Sequence, residues 1–263
     1  MAVNTTAGTA SEINSIVEKT KQSIEELKAY KQSLITETVT KGLNPDAPMK
    51  ESGIEWIGEI PKDSIVTKLK FLTSEPLQYG ANEAGDLYTE NDIRYIRITD
   101  IDENNNLKDD GKLSLSYEKS QKYLLRDGDI LFARSGASVG KSFLYQEKYG
   151  PSSFAGYLIK ATLKEDVNPK IIFYNTLSYS FEEWKNSNFI QSTIQNLSAE
   201  KYNNYHLVIP RDINEQNKIV QFLDKKTQQI DKLITKKQQM IKELESYKQS
   251  LIYEYVTGKK EVE

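Results

Sequence analysis

Cysteine is absent from this 263-residue chain, and histidine occurs once. The first absence excludes disulfides, thiolate nucleophiles and cysteine-ligated zinc, and it fits a reducing compartment. The second leaves little of the histidine-dependent repertoire, because triads and multi-histidine metal sites need further partners. The one imidazole, His206, lies in the apolar, strand-like run Tyr205-His206-Leu207-Val208-Ile209-Pro210, where a structural role is expected. No apolar window is long enough to cross a bilayer. Met1 to Ala10 is small and polar, with neither the basic start nor the apolar core of a secretion signal, so residues 1–12 are expected to be a frayed or added tail and the cytoplasm is the expected compartment. An excess of positive charge is also missing. A net charge of −3 argues against holding nucleic acid by bulk electrostatics but leaves room for local reading by a few Arg, Lys, Asn, Gln or Ser side chains. The 16 tyrosines suit strands and core edges, or equally a binding face.

What the chain does have is a duplicated segment. Ile24-Glu25-Glu26-Leu27-Lys28-Ala29-Tyr30-Lys31-Gln32-Ser33-Leu34-Ile35 returns as Ile241-Lys242-Glu243-Leu244-Glu245-Ser246-Tyr247-Lys248-Gln249-Ser250-Leu251-Ile252, an offset of 217 (241 − 24). In the first copy Ile13, Val17, Thr20, Ile24, Leu27, Lys31 and Leu34 alternate by four and three residues. Ile230, Ile234, Lys237, Ile241, Leu244, Lys248 and Leu251 do the same in the second. Each copy is therefore a helix with a narrow heptad seam. Thr20 and Lys31 interrupt the first seam and Lys237 and Lys248 the second, so each needs a partner helix, and the ten apolar positions among them are the expected pairing residues. The copies can pair within one chain or between chains. Gly42 and Gly258 stand where left-handed caps would end the helices.

Between the copies the pattern is that of a mixed α/β domain. Leu43-Asn44-Pro45-Asp46-Ala47-Pro48 cannot continue a helix. Ile54, Trp56, Ile57 and Ile60 supply an apolar anchor. Strands are predicted at 95–98, 129–132, 143–145 and 157–163, separated by Gly, Asn and Asp turns. Ile171, Ile172, Tyr174, Leu177, Phe181 and Trp184 predict one helix, and Phe189 to Ile194 a second short one.

Two segments carry candidate chemistry. Arg134-Ser135-Gly136-Ala137-Ser138-Val139-Gly140-Lys141-Ser142 superficially resembles a phosphate loop, but Ser135 stands where the first glycine is required, and Phe143-Leu144-Tyr145 reads as a strand rather than the helix such a loop opens. A hairpin with a polar tip, able to touch phosphates or base edges, fits better than a nucleotide site. In Gln195-Asn196-Leu197-Ser198-Ala199-Glu200-Lys201, Gln195 and Asn196 have the paired donor and acceptor that suit adenine, while Ser198 equally suits capping a short helix.

Taken in order, these pieces resemble the specificity subunit of Type I restriction-modification systems. The resemblance rests on Gly53-Ile54-Glu55-Trp56-Ile57-Gly58-Glu59-Ile60-Pro61, on Leu125-Arg126-Asp127-Gly128-Asp129-Ile130-Leu131 with Arg134, Gly136 and Gly140-Lys141, and on Asn196-Leu197-Ser198. It continues through Ile209-Pro210, Glu215-Gln216-Asn217-Lys218-Ile219-Val220 and Leu223-Asp224 into the second helix, and covers nearly all of the chain beyond residue 12. One departure is Pro210-Arg211-Asp212-Ile213, where the family usually has Pro-Pro-Leu before Glu-Gln.

The resemblance implies an α+β fold, with a target-recognition domain at 43–214 flanked by helical spacers at 13–42 and 215–258 that pack antiparallel as a coiled coil, and a tail at 259–263. The family's complete subunit carries two recognition domains, so this chain is expected to be a half-subunit or a C-terminal fragment that reads one half of a bipartite site. Ile13 to Gly42 as helix spans about 45 Å, more than the roughly 34 Å between major-groove faces one turn apart. The expected partners are double-stranded DNA, modification (methyltransferase) subunits, an ATP-dependent restriction subunit and a second copy of the chain, with no membrane. S-adenosylmethionine, ATP and Mg are expected on partner subunits only. The two Asn-Pro pairs continue as Asn44-Pro45-Asp46 and Asn168-Pro169-Lys170, so the methyl-transfer motif Asn-Pro-Pro-aromatic is missing and the chain is expected to be non-catalytic. The residues expected to face DNA are Arg97, Thr99, Arg134, Ser135, Ser138, Lys141, Gln195, Asn196, Ser198 and Lys201. The alternative for Arg97 and Arg134 is pairing with carboxylates such as Asp100 or Asp129. From another functional class, a helical scaffold whose middle domain binds protein is the competing reading.

Overall fold

The computed structural model describes residues 2–89, 92–102, 104–189 and 195–257, with side chains from residue 8 onward. The chain opens with a long helix, α1 (Ala2–Lys41), which ends where Gly42 takes a positive φ of 73° and donates to Thr38 O at 3.0 Å. The tail expected over 1–12 is corrected for residues 2–12, which are helical: they contain no proline, and adding turns to an existing helix costs little once it is nucleated.

The strands that follow are short. β1 (Met49–Glu51) and β2 (Glu59–Pro61) form a hairpin, and Ile57 and Ile60 pack with Val208. Trp56, expected in that anchor, stays partly exposed. Next come β3 (Ser64–Lys68), β4 (Gln78–Tyr79), β5 (Asp86–Leu87), β6 (Arg94–Ile96), β7 (Leu113–Ser114), α2 (Tyr117–Ser120), β8 (Ile130–Ala133), β9 (Ser142–Leu144), β10 (Ser152–Phe154) and β11 (Leu158–Ala161). Then α3 (Pro169–Asn175), α4 (Tyr179–Ser187), α5 (Ala199–Asn203) and β12 (His206–Pro210) lead into the second long helix, α6 (Ile213–Val256).

The single helix expected around Ile171 to Trp184 is instead two, α3 and α4. Ser178 takes an extended ψ of 160° and its side chain accepts from Phe181 N, so it caps a new helix rather than continuing the old one. Of the second helix expected at 189–194, residues 190–194 lie outside the described residues.

The chain divides into two compact units, residues 35–221 and residues 1–34 with 222–263. The larger holds two four-stranded sheets, ordered β10-β6-β7-β5 and β4-β11-β8-β9, and the antiparallel pairs β1-β2 and β12-β3. β6 and β10 run parallel; the other pairs are antiparallel. Ile96, Leu131, Phe143, Phe154 and Leu158 fill one shared core. A second, aromatic layer joins α4 and α5 to β8: Trp184 stacks near Tyr202 and Tyr205, and Tyr202 lies 4.7 Å from Phe132, centroid to centroid. His206 sits in β12 opposite Lys68, and burial, then that lysine's charge, holds its pKa below the ordinary value.

The smaller unit is an antiparallel helical pair, fixed by two apolar clusters. Ile13 and Val17 pack with Leu251, Ile241 and Leu244; Ile230 and Ile234 pack with Leu34, Ile24, Leu27 and Ile241. All ten expected seam residues are in these clusters. Shifting one cluster by the repeat offset generates the other: Ile13 becomes Ile230, Val17 becomes Ile234, Leu34 becomes Leu251, Ile24 becomes Ile241 and Leu27 becomes Leu244. The pair therefore has an internal pseudo-two-fold axis close to Ile24 and Ile241. Among the described residues no helix is long and apolar enough to cross a membrane.

Candidate nucleic-acid interface

The glycine-containing segment is a hairpin, as its sequence predicts. β8 leads through a turn at Gly136–Ser138 into β9, and Ile130, Leu131 and Phe132 face Leu144, Phe143 and Ser142. Gly136 and Gly140 both have positive φ, 75° and 85°. The turn starts at Arg134, whose backbone is pinned on both sides: its N–H donates to Tyr157 O at 3.0 Å and its carbonyl accepts from Leu197 N at 2.8 Å. Ser135 forms an isolated bridge with Asn196.

The hairpin and the 195–201 segment, about sixty residues apart in sequence, thus become neighbours. The aromatic layer holds them there, because Tyr202 Oη donates to Ala133 O at 2.8 Å. Burial raises the Tyr202 hydroxyl well above its ordinary pKa, so it remains a donor at any physiological pH. Ser198 caps α5, accepting from Lys201 N at 3.3 Å, and Lys201 Nζ donates to the carbonyls of Asn188 and Asn196. Gln195 is exposed, and Asn196 keeps a buried side-chain oxygen without a partner among the described residues.

Arg97, Thr99 and Lys141 gather elsewhere in the same unit. Arg97 grips Asp100 with Nε at 3.2 Å and Nη2 at 2.6 Å and also donates to Gly111 O, so its fork is committed internally. Thr99 is exposed, its carbonyl accepting from Lys108 Nζ. Lys141 reaches Ile101 O at 3.1 Å, which draws the end of the hairpin turn toward Arg97 and Thr99. Ser138, partly buried, closes the turn by accepting from Lys141 N at its carbonyl.

Asp129, the other carboxylate expected to compete for an arginine, is instead buried against Thr162 Oγ1 at 2.6 Å and Arg126 N at 2.8 Å. Its desolvation outweighs those bonds and raises its pKa.

Sequence reasoning missed Tyr79. It lies in β4, two residues long and paired to β11, and its ring supports the Arg134 guanidinium at 4.9 Å while its hydroxyl accepts from Ala199 N at 3.0 Å. The neighbouring Gly80 allows this approach, since a Cβ there would meet Ala155 O at 2.3 Å. Tyr157, exposed beside the same arginine backbone, was also missed. Nothing local to either tyrosine separates it from the other tyrosines of the chain.

The arrangement is a polar and aromatic surface carried on turns, with rigid strands beneath. It suits recognition of a partner surface; among the described residues no group of three or more His, Cys, Asp or Glu is placed to hold a metal. Comparison with known proteins gives that surface its context. Residues 80–243 match the family described as Type I restriction modification DNA specificity domain. No protein of curated function matches the chain in sequence.

In fold, 96% of the chain superposes on 57% of a chain from a structure of complex assembly and conformational transition of the type I R-M system, with a TM-score of 0.71 at 14% identity. The HsdS subunit from Thermoanaerobacter tengcongensis gives a TM-score of 0.58 at 15% identity, over 96% of this chain and 56% of that one. The Type-I restriction-modification system S subunit from M. genitalium gives 0.51 at 12%, over 91% and 58%. The chain thus spans a little over half the length of each of these structures. The sequence match takes in both candidate segments, most of the larger unit and α6 as far as Glu243, which is well over half of the chain. The chain belongs to the Type I restriction-modification DNA specificity family.

Proposed function

We propose that the larger unit reads one half of a bipartite DNA site and that the helical pair docks the modification subunits of a Type I complex. The observation that carries the first part is the family match, which covers the polar surface formed by the 134–141 hairpin and the 195–201 segment. In this reading the chain supplies the address. S-adenosylmethionine-dependent methylation, and ATP- and Mg-dependent translocation and cleavage, reside on partner subunits in the cytoplasm.

The pseudo-two-fold axis supports the second part. Gln22, Glu26 and Tyr30 lie four residues apart on one exposed stripe of α1; Gln239, Glu243 and Tyr247 repeat it on α6. Even the bond within the stripe is duplicated, Gln22 to Glu26 at 3.1 Å and Gln239 to Glu243 at 2.9 Å. The seam does not require these outward residues to be identical. Two equal docking surfaces, one per modification subunit, give them a reason.

The same symmetry supports a bipartite site. In the larger unit Ile35 and Val39 are each 2% exposed, whereas their copies at the end of α6, Ile252 and Val256, are 44% and 80% exposed. Apolar side chains that are buried in one copy are bare in the other. A second recognition domain, from another chain or another part of the same subunit, would cover them.

The test is selection from random DNA duplexes at defined salt, using the chain together with its modification subunit. Enrichment of one short sequence is expected. Enrichment of none, with tight protein association, would replace this reading by a protein scaffold.

A further inference from the structure

Arg134 is held differently from the other arginines of the larger unit. Arg94 is buried, Arg97 is clamped to Asp100, Arg126 pairs with Glu75 at 3.0 Å, and Arg211 stands in the exposed turn before α6. Arg134 combines an aromatic support with the absence, among the described residues, of any carboxylate partner. Its guanidinium lies 4.9 Å from the Tyr79 ring centre, and among the described residues its one side-chain hydrogen bond is a long contact of 3.4 Å from Nη1 to Gly156 O. Nε is buried without a partner among the described residues. The residue is partly buried, and the ring beneath it is 40% exposed.

These facts separate two roles that an arginine can play on DNA. A phosphate contact tolerates a mobile cation, because the charge can be met from many directions. Base reading needs the planar fork in a fixed orientation, and bidentate donation to guanine O6 and N7 is its commonest form. Here the backbone is fixed from both sides by Tyr157 and Leu197, and the guanidinium rests against an aromatic ring that is itself tied to the first turn of α5. Rotamer freedom that a surface arginine would lose on binding is already lost in the folded chain. The uncommitted donors sit at the start of the hairpin turn, beside Ser135 and Asn196.

From this geometry we infer that Arg134 reads a guanine through the major groove, with Tyr79 as the positioning residue that orients its fork. The inference rests on the DNA-recognition reading and deepens it: it fixes one base of the half-site and the side chain responsible. Substituting Arg134 should erase the preference at one position of the selected sequence and leave the rest of the motif intact. Tyr79 should act on that same position, through orientation rather than contact.

The experiment is the duplex selection on the complex, run side by side for the wild-type chain, Arg134→Ala, Arg134→Lys, Tyr79→Phe and Tyr79→Leu, with thermal melting of each. In the wild type one position is expected to be guanine, and Arg134→Ala should lower discrimination there about 5- to 150-fold. Tyr79→Leu should weaken the same position, and Tyr79→Phe, which keeps the ring, should retain it. Arg134→Lys should recover only part of the discrimination, since an ammonium lacks the fork. The inference is overturned if Arg134→Ala weakens all sequences alike and reduces the salt dependence by about one counterion, the signature of a phosphate contact. It is also overturned if a folded Arg134→Ala chain selects the wild-type motif unchanged. Failure of the wild type to select any sequence removes the underlying DNA reading instead.

Discussion

Lys31 Nζ donates to both carboxylate oxygens of Asp231, at 2.7 and 2.8 Å. The repeat carries a second version of that contact: Lys248 Nζ donates to Asn14 Oδ1 at 2.7 Å. Lys31 and Lys248 are equivalent positions, as are Asn14 and Asp231, each separated by 217 residues (248 − 31 and 231 − 14). One polar clasp therefore occurs twice, on either side of the axis that also exchanges the two apolar clusters. One version is an ion pair and the other a charge-assisted hydrogen bond.

The clasps and the seam should differ in what they contribute. Both clasps are exposed, so Lys31→Ala or Lys248→Ala is expected to cost about 0.2–1 kcal/mol. Ile24→Ala, at the buried centre of the pair, is expected to cost about 2–5 kcal/mol by cavity formation. Denaturant titration followed by circular dichroism measures both, and equal losses would mean that the clasps, not the seam, hold the helices.

Arg97 and Arg134 should separate stability from specificity. Asp100 has a side chain only 5% exposed, so Arg97→Ala leaves a buried carboxylate short of donors and should lower stability by about 1–3 kcal/mol. Melting temperature should fall for Arg97→Ala with the selected DNA sequence unchanged. A loss of one base preference without a drop in melting temperature would assign Arg97 to DNA instead.

Gly80→Ala should disrupt the seat of Tyr79. The added methyl would meet backbone at Ala155 rather than a flexible side chain, so β4 and the Ala155 backbone have to separate. A loss of about 2 kcal/mol or more is expected, with weaker discrimination at the Arg134 position. A chain as stable as wild type would show that the crossing is looser than described.

His206 makes stability depend on pH on the acid side. Its folded pKa is depressed, by burial first and by Lys68 second, so the unfolded chain binds more protons between the depressed value and the ordinary 6.5. Its contribution is complete above 6.5 and is lost as pH falls through that window. His206→Gln should flatten the melting-temperature profile between about pH 5 and 7, and an unchanged slope would place the titrating group elsewhere.

The parts of the fold that could be read directly were those in which a single period carries the information. The seam from Ile13 to Leu34 and from Ile230 to Leu251 is visible because spacing alone sets which face is apolar. β8, β9 and β12 are visible because apolar runs are bounded by turn residues. The break at Ser178 was not visible: an apolar helical pattern continues across it from Leu177 to Phe181, and only the cap geometry shows that the backbone leaves the helix. The candidate surface was legible in part. Arg134, Ser135 and Asn196 stand in turn segments that attract notice, whereas Tyr79 gains its role through β4 pairing with β11, some eighty residues away. Whether an arginine faces a partner or an internal acid also depends on contacts that spacing does not encode. Arg97 has Asp100 beside it in space as in sequence, while Asp129, five residues before Arg134, is taken up by Thr162 and the backbone of Arg126.

The most direct test of DNA recognition by this chain is methylation mapping on DNA modified by its complex. Every modified site should share one short fixed sequence containing a methylated adenine, separated by a spacer from the second half-site, and the shared sequence should change when residues 43–214 are exchanged for those of another family member. Modification scattered over unrelated sequences, or a pattern that survives the exchange, would contradict the assignment of sequence reading to this chain.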